Sequence, residues 1–83
     1  MKKITYKTSG VCSRSIEIEL DDNNIIQSVK FVGGCDGNLK GIASLAKGRS
    51  ASEVIPLISG IKCGFKNTSC PDQLSRALSE AIK

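Results

Sequence analysis

The chain has 83 residues, 40% of them hydrophobic and 24% charged, with a net charge of +4; this fits one small globular domain over residues 1–83 and argues against compositional disorder. No apolar stretch approaches the ~20 residues of a membrane helix, so no membrane partner is expected. The 12 Lys and Arg are scattered and the aromatics are Tyr6, Phe31 and Phe65, which supplies neither a basic block nor a stacking platform; the charge reads as a solvated surface with a modest preference for acidic partners.

Ile4, Tyr6 and Thr8 alternate with polar residues and Gly10 closes the segment, predicting a first strand over residues 3–8. Ile16, Ile18 and Leu20 alternate with Glu17 and Glu19 as a half-buried second strand requires. Asp21-Asp22-Asn23-Asn24 supplies residues that bond their own backbone and tolerate positive φ, so a hairpin turn follows. Ile25 to Val32 is the third strand, with Ile25, Val29 and Phe31 on one face and Ile26 and Val32 on the other; that split predicts a central strand or one partly covered on both sides.

At Gly33-Gly34 the period changes to 3.6, and Leu39, Ile42, Ala43 and Ala46 form the stripe of a helix that stops near Gly48, with Asp36 as its candidate N-cap. Ser50 and Glu53 have capping-box spacing ahead of Val54, Leu57 and Ile58, marking a short second helix that Pro56 is expected to bend or shorten. Leu74, Ala77, Leu78, Ala81 and Ile82 give a third helix; Pro71 sits where a first-turn proline is tolerated and Asp72 suits the positive end of the dipole. The order β-β-β-α-α-α predicts an α+β fold, a three-stranded antiparallel sheet followed by three helices on one face.

The chemistry rests on Cys12, Cys35, Cys63 and Cys70 in a chain without histidine, so a transition-metal site would be largely or wholly thiolate, which narrows the metal to zinc, iron or an iron–sulphur cluster. Residues 1–8 carry basic side chains but no apolar run of the roughly 7–15 residues a secretory signal needs, so a cytoplasmic, reducing setting is expected. There an even cysteine count points to metal or redox chemistry, with disulfides or small buried apolar side chains as the alternative. The gaps of 22, 27 and 6 residues contain no CxxC pair, so a site has to be assembled from distant parts of the fold. In an up-down-up meander Cys12 and Cys35 fall at one edge, and Cys63 and Cys70, between the second and third helices, return to it. Cys35 and Cys70 precede predicted helices, whose N-termini favour anionic sulphur. Lys62, Lys66 and Arg14 are candidates to offset the charge of a four-thiolate site. Without histidine a Cys-His nucleophile is impossible.

Thr68-Ser69-Cys70-Pro71-Asp72, preceded by Cys12, Gly34-Cys35-Asp36-Gly37-Asn38 and Gly60-Ile61-Lys62-Cys63-Gly64, resembles the TSCPD family over essentially the whole chain. Domains of that family also occur at the C-terminal end of adenosylcobalamin-dependent ribonucleotide reductases. The resemblance implies a ribonucleoside-diphosphate reductase association, a metal-binding module with Cys12, Cys35, Cys63 and Cys70 as ligands, and service to a reductase or contact with its nucleotide or nucleic-acid substrates. It does not imply independent catalysis, since 83 residues do not hold a reductase barrel, a radical cysteine and nucleotide sites. A more distant, NifU/SufE-like resemblance to iron–sulphur scaffold proteins places Cys12, Cys35 and Cys70 at matching positions; Arg14 stands where the scaffold has an aspartate and Ser69 where it has a histidine, while Cys63 supplies a fourth thiolate. Three function classes follow: a zinc or iron module, an iron–sulphur scaffold or carrier, and a thiol redox protein.

Overall fold

Alternation along one strand sets the architecture. In the computed structural model, which describes residues 2–11, 13–34, 36–62, 64 and 67–82, β2 (Ser13–Leu20) buries Ile16, Ile18 and Leu20 and leaves Glu17 and Glu19 half-buried. β2 is the middle strand of an antiparallel meander, with β1 (Lys2–Lys7) and β3 (Ile26–Gly33) as its two edges. The registers Ile4–Ile18–Val29 and Tyr6–Ile16–Phe31 line up apolar side chains on one face. The other face carries Lys3, Thr5, Glu17, Glu19 and Lys30, and Lys3 pairs with Glu19 at 3.9 Å. An antiparallel sheet with one packed and one solvated face follows from that pattern.

Three helices cover the apolar face. α1 (Asp36–Ala46) lies along β3, α3 (Cys70–Ala81) crosses β2 and β1, and α2 (Ala51–Ile58) packs on α3. The predicted stripe of α3 is its buried face: Leu74, Ala77 and Leu78 are fully buried against Ile16, Ile18, Leu20 and Ile26. Burying side chains such as Leu74 and Leu78 contributes about 1.5–3 kcal/mol each. This is the α+β order expected from the sequence.

Two bulges change what strict alternation predicts. Leu20 pairs with Ile26 while Glu19 pairs with Ser28, so Gln27 is an extra residue and the parity of β3 reverses there. Ile26 therefore returns to the core face, fully buried, instead of lying opposite Val29, and β3 is an edge strand instead of a central one. Val32, half-buried, keeps the outward face expected for it. The start of β3 is covered by the α1–α2 connection, because Ile26 N–H donates to the Arg49 carbonyl at 2.8 Å and accepts Gly48 N–H on its own carbonyl at 2.8 Å. The second bulge, at Arg14, separates the pairs Ser13–Gly33 and Ser15–Val32.

The helix ends differ from expectation in detail. Asp36 is the first helical residue of α1, not its cap, and follows Gly33 and Gly34, whose φ of 81° and 84° place the turn out of β3 in the left-handed region that glycine tolerates. Ser50 caps α2 by accepting Glu53 N–H at 3.2 Å, but the Glu53 carboxylate does not complete a capping box; it pairs with Arg49 at 3.2 Å. α2 continues through Pro56 to Ile58, where Ser59 N–H donates to the Ile55 carbonyl.

Candidate functional site

Cys70, expected just ahead of the third helix, is the first residue of α3, with Ser69 as the cap before it, and is buried. Cys12, Cys35 and Cys63, along with Lys66, lie outside the described residues. What the structure gives is the frame around Cys70 and the described neighbours of the other three.

Ser69 starts that frame. Its extended backbone (φ −150°, ψ 171°) makes it the N-cap of α3, its Oγ accepts Asp72 N–H at 3.1 Å, and its hydroxyl donates to the Ile61 carbonyl at 2.6 Å. One side chain thus satisfies a first-turn N–H and ties the helix to the α2–α3 connection. Pro71 occupies the first turn, where its missing N–H costs nothing.

Asp72 makes a second tie to the same connection. Its Oδ1 accepts Gly60 N–H at 2.7 Å, and its Oδ2 accepts the Thr68 hydroxyl at 2.5 Å and lies 3.1 Å from the Arg76 guanidinium. The Thr68 and Gly60 hydrogen bonds, with a smaller contribution from Arg76, hold the carboxyl below its usual range against the opposing effect of burial. Thr68 in turn accepts Gln73 Nε2–H at 2.9 Å, and Gln73 Oε1 accepts Ser9 N–H at 3.3 Å from the segment after β1. Gly10 belongs to that contact: its φ is 72°, and a Cβ there would sit 3.3 Å from Thr68 Cγ2.

A third tie runs to β2. Ser13 Oγ and Cys70 Sγ lie 3.4 Å apart, both buried. Thr8 fixes the Ser13 backbone, donating its hydroxyl to the Ser13 carbonyl at 2.6 Å while its N–H donates to the Arg14 carbonyl at 3.1 Å. Arg14 itself is exposed.

The buried polar side chains among the described residues are Thr8, Ser13, Ser69, Asp72, Gln73 and Ser75; the first five belong to these ties, and Ser75 donates within α3 to the Asp72 carbonyl. Hydrogen-bonded polar groups kept inside a small core are costly unless satisfied, and here each has a partner. Each undescribed cysteine stands within two residues in sequence of a described member of the frame: Cys12 beside Ser13, Cys35 after Gly33, which pairs with Ser13, and Cys63 after Ile61. The sequence pointed to the cysteines but not to Ser13, Thr8 or Gln73. Polar Gln73 and Ser75 flanking the apolar Leu74 were the available signal for the last helix; Ser13 had none, because only the bulge turns it inward.

Among the described residues no three Cys, Asp, Glu or His side chains converge as a ready metal cluster, and only one cysteine is among them. No described helix is long and apolar enough to cross a membrane. Comparison with curated proteins and with solved structures finds no match. The family model of the TSCPD domain matches residues 2–82, spanning both the meander and the Thr68–Asp72 frame, and the chain therefore belongs to the TSCPD domain family.

Proposed function

We propose that this domain is a four-cysteine metal-binding module of the cytoplasm, with the thiolates of Cys12, Cys35, Cys63 and Cys70 as ligands to zinc or iron, and that it serves as an accessory to ribonucleotide reductase or to its nucleotide or nucleic-acid substrates. The observation that carries this reading is the collection of buried polar side chains near Cys70, tied by hydrogen bonds to the segments that lead to Cys12 and Cys63, with Gly33, two residues before Cys35, paired in the sheet with Ser13. A core of this size supplies only about 3–5 kcal/mol, and a metal staple between distant segments adds stability where the apolar core is thin.

The donor chemistry fits such a metal. The ligand set offers four thiols and no imidazole, and Cys70 is buried beside a hydroxyl able to donate to a thiolate. Saturated four-thiolate coordination supplies a structural staple or an electron-carrying centre and leaves no open position for Lewis-acid catalysis. Arg76, Lys62 and Arg14, on segments flanking the frame, supply positive charge against a dianionic site.

Replacing Cys35 or Cys70 with serine tests the reading, since metal binding and folding are coupled when ligands come from separate segments. Loss of bound metal together with a lowered Tm is expected for both variants. Unchanged metal content and melting in both contradict it. A gel shift with nucleic acid that weakens steeply with salt is the expected sign of the substrate-facing role.

The strand-helix order, with Cys70 opening the last helix, also suits an iron–sulphur scaffold. That second reading predicts a brown protein after anaerobic purification, whereas a thiol redox protein would hold no metal and cycle a cysteine pair.

A further inference from the structure

Strict alternation from Ile16, Ile18 and Leu20 would turn Arg14 inward and Ser13 outward. The bulge at Arg14 reverses this, so that Arg14 is exposed and Ser13 is buried to 4% exposure. The Thr8 hydroxyl and N–H then hold the successive carbonyls of Ser13 and Arg14. Ser13 Oγ is left 3.4 Å from Cys70 Sγ, with both residues buried. Toward a thiol, a hydroxyl is donor or acceptor; toward a metal-bound thiolate, which has no proton, it is only a donor.

We propose that Ser13 is a positioning residue for the metal site, its hydroxyl donating to the Cys70 sulphur and setting how strongly that sulphur binds the metal. This role rests on the assignment of Cys70 as a ligand. A hydrogen bond to anionic sulphur is charge-assisted; it lowers the energy of the sulphur electrons and offsets part of the excess negative charge of a four-thiolate site, and partners of this kind behind the ligands commonly change metal affinity 10–100-fold. In iron–sulphur proteins the same bonds help set the reduction potential. The bulge is the structural device that aims the hydroxyl, since an ordinary β-strand has no way to present residue 13 to α3.

The test loads the full chain with cobalt(II) without air and compares wild type with Ser13→Thr and Ser13→Val, an isosteric pair that differs in the hydroxyl. The readouts are the sulphur-to-cobalt charge-transfer band and the chelator concentration that removes half the metal. In Ser13→Val the band is expected at lower energy and the metal is expected to be lost at about 10-fold less chelator, on the scale of such outer-shell changes. Ser13→Thr restores both toward wild type. Equal bands and equal metal retention in the Thr and Val variants overturn the role of Ser13 while leaving the cysteine site standing. Wild type without any thiolate-to-cobalt band overturns the metal reading and the role of Ser13 with it. Ser13→Ala is a third variant, without the added methyl groups: a wild-type band there also overturns the proposal.

Discussion

The carboxylate of Asp72 in the first turn of α3 accepts the backbone N–H of Gly60, twelve residues earlier, at 2.7 Å. With the Thr68 hydroxyl on its other oxygen, it holds the α2–α3 connection onto the helix that carries Cys70. Asp72→Ala leaves the Gly60 N–H and the Thr68 hydroxyl without their acceptor and is expected to cost about 1–3 kcal/mol, measured by urea unfolding. A loss below measurement error would show that the connection is held by other means.

The same carboxylate gives a pH signature. Its folded-state pKa lies below the usual 3.8 because of Thr68, Gly60 and Arg76. The stability it contributes is therefore fully present above the unfolded value and is lost as pH falls through the lowered folded value. Compared across pH, the stability gap between wild type and Asp72→Asn should be constant from neutrality to about pH 5 and close progressively in more acid solution. A gap that widens on acidification has the wrong sign for this account.

Asn24 sits in the turn between β2 and β3 at φ 62°, and its buried Oδ1 has no hydrogen-bond partner among the described residues. Asn24→Gly removes an unsatisfied acceptor and suits the backbone, so stability is expected to hold within about 1 kcal/mol. Asn24→Val, which forces a branched side chain into the left-handed region, should lose about 1–2 kcal/mol or more. Thermal melts of the two variants side by side check the ordering.

Away from the cysteine pole, Leu45 and Leu57 rim an apolar groove of about 270 Å³ between α1 and α2 and are 72% and 65% exposed. Leu57→Ser is expected to change stability by less than about 0.5 kcal/mol and to leave metal uptake unaltered. Leu78→Ala, in the fully buried face of α3, should cost about 2–5 kcal/mol. Similar losses in the two variants would mean that the groove is part of the core.

The strand and helix order was legible because each element repeats its apolar residues at its own period, from Ile16, Ile18 and Leu20 to Leu74, Ala77, Leu78 and Ala81. The bulges were not, because an extra residue such as Gln27 or Arg14 leaves composition unchanged and shows itself only through pairing. That is why Ile26 was expected on the wrong face and Ser13 was passed over. The cysteines stood out by residue type, and Cys70 lies one residue inside the helix that the periodicity began after it. The polar frame was hidden for a different reason: Thr68, Ser69, Asp72 and Gln73 read locally as a helix start, while other bonds of theirs go outside that segment to Ser9, Gly60 and Ile61. Burial of Gln73 required both the cap and those long-range partners.

Elemental analysis with a visible spectrum, on protein purified without air and without a histidine tag, tests whether the four cysteines hold a metal. Near-stoichiometric metal per chain is expected, colourless if zinc and brown with sulphide if an iron–sulphur cluster, and absent from Cys70→Ser. Wild-type protein that carries no metal and exposes four reactive thiols would contradict the metal site.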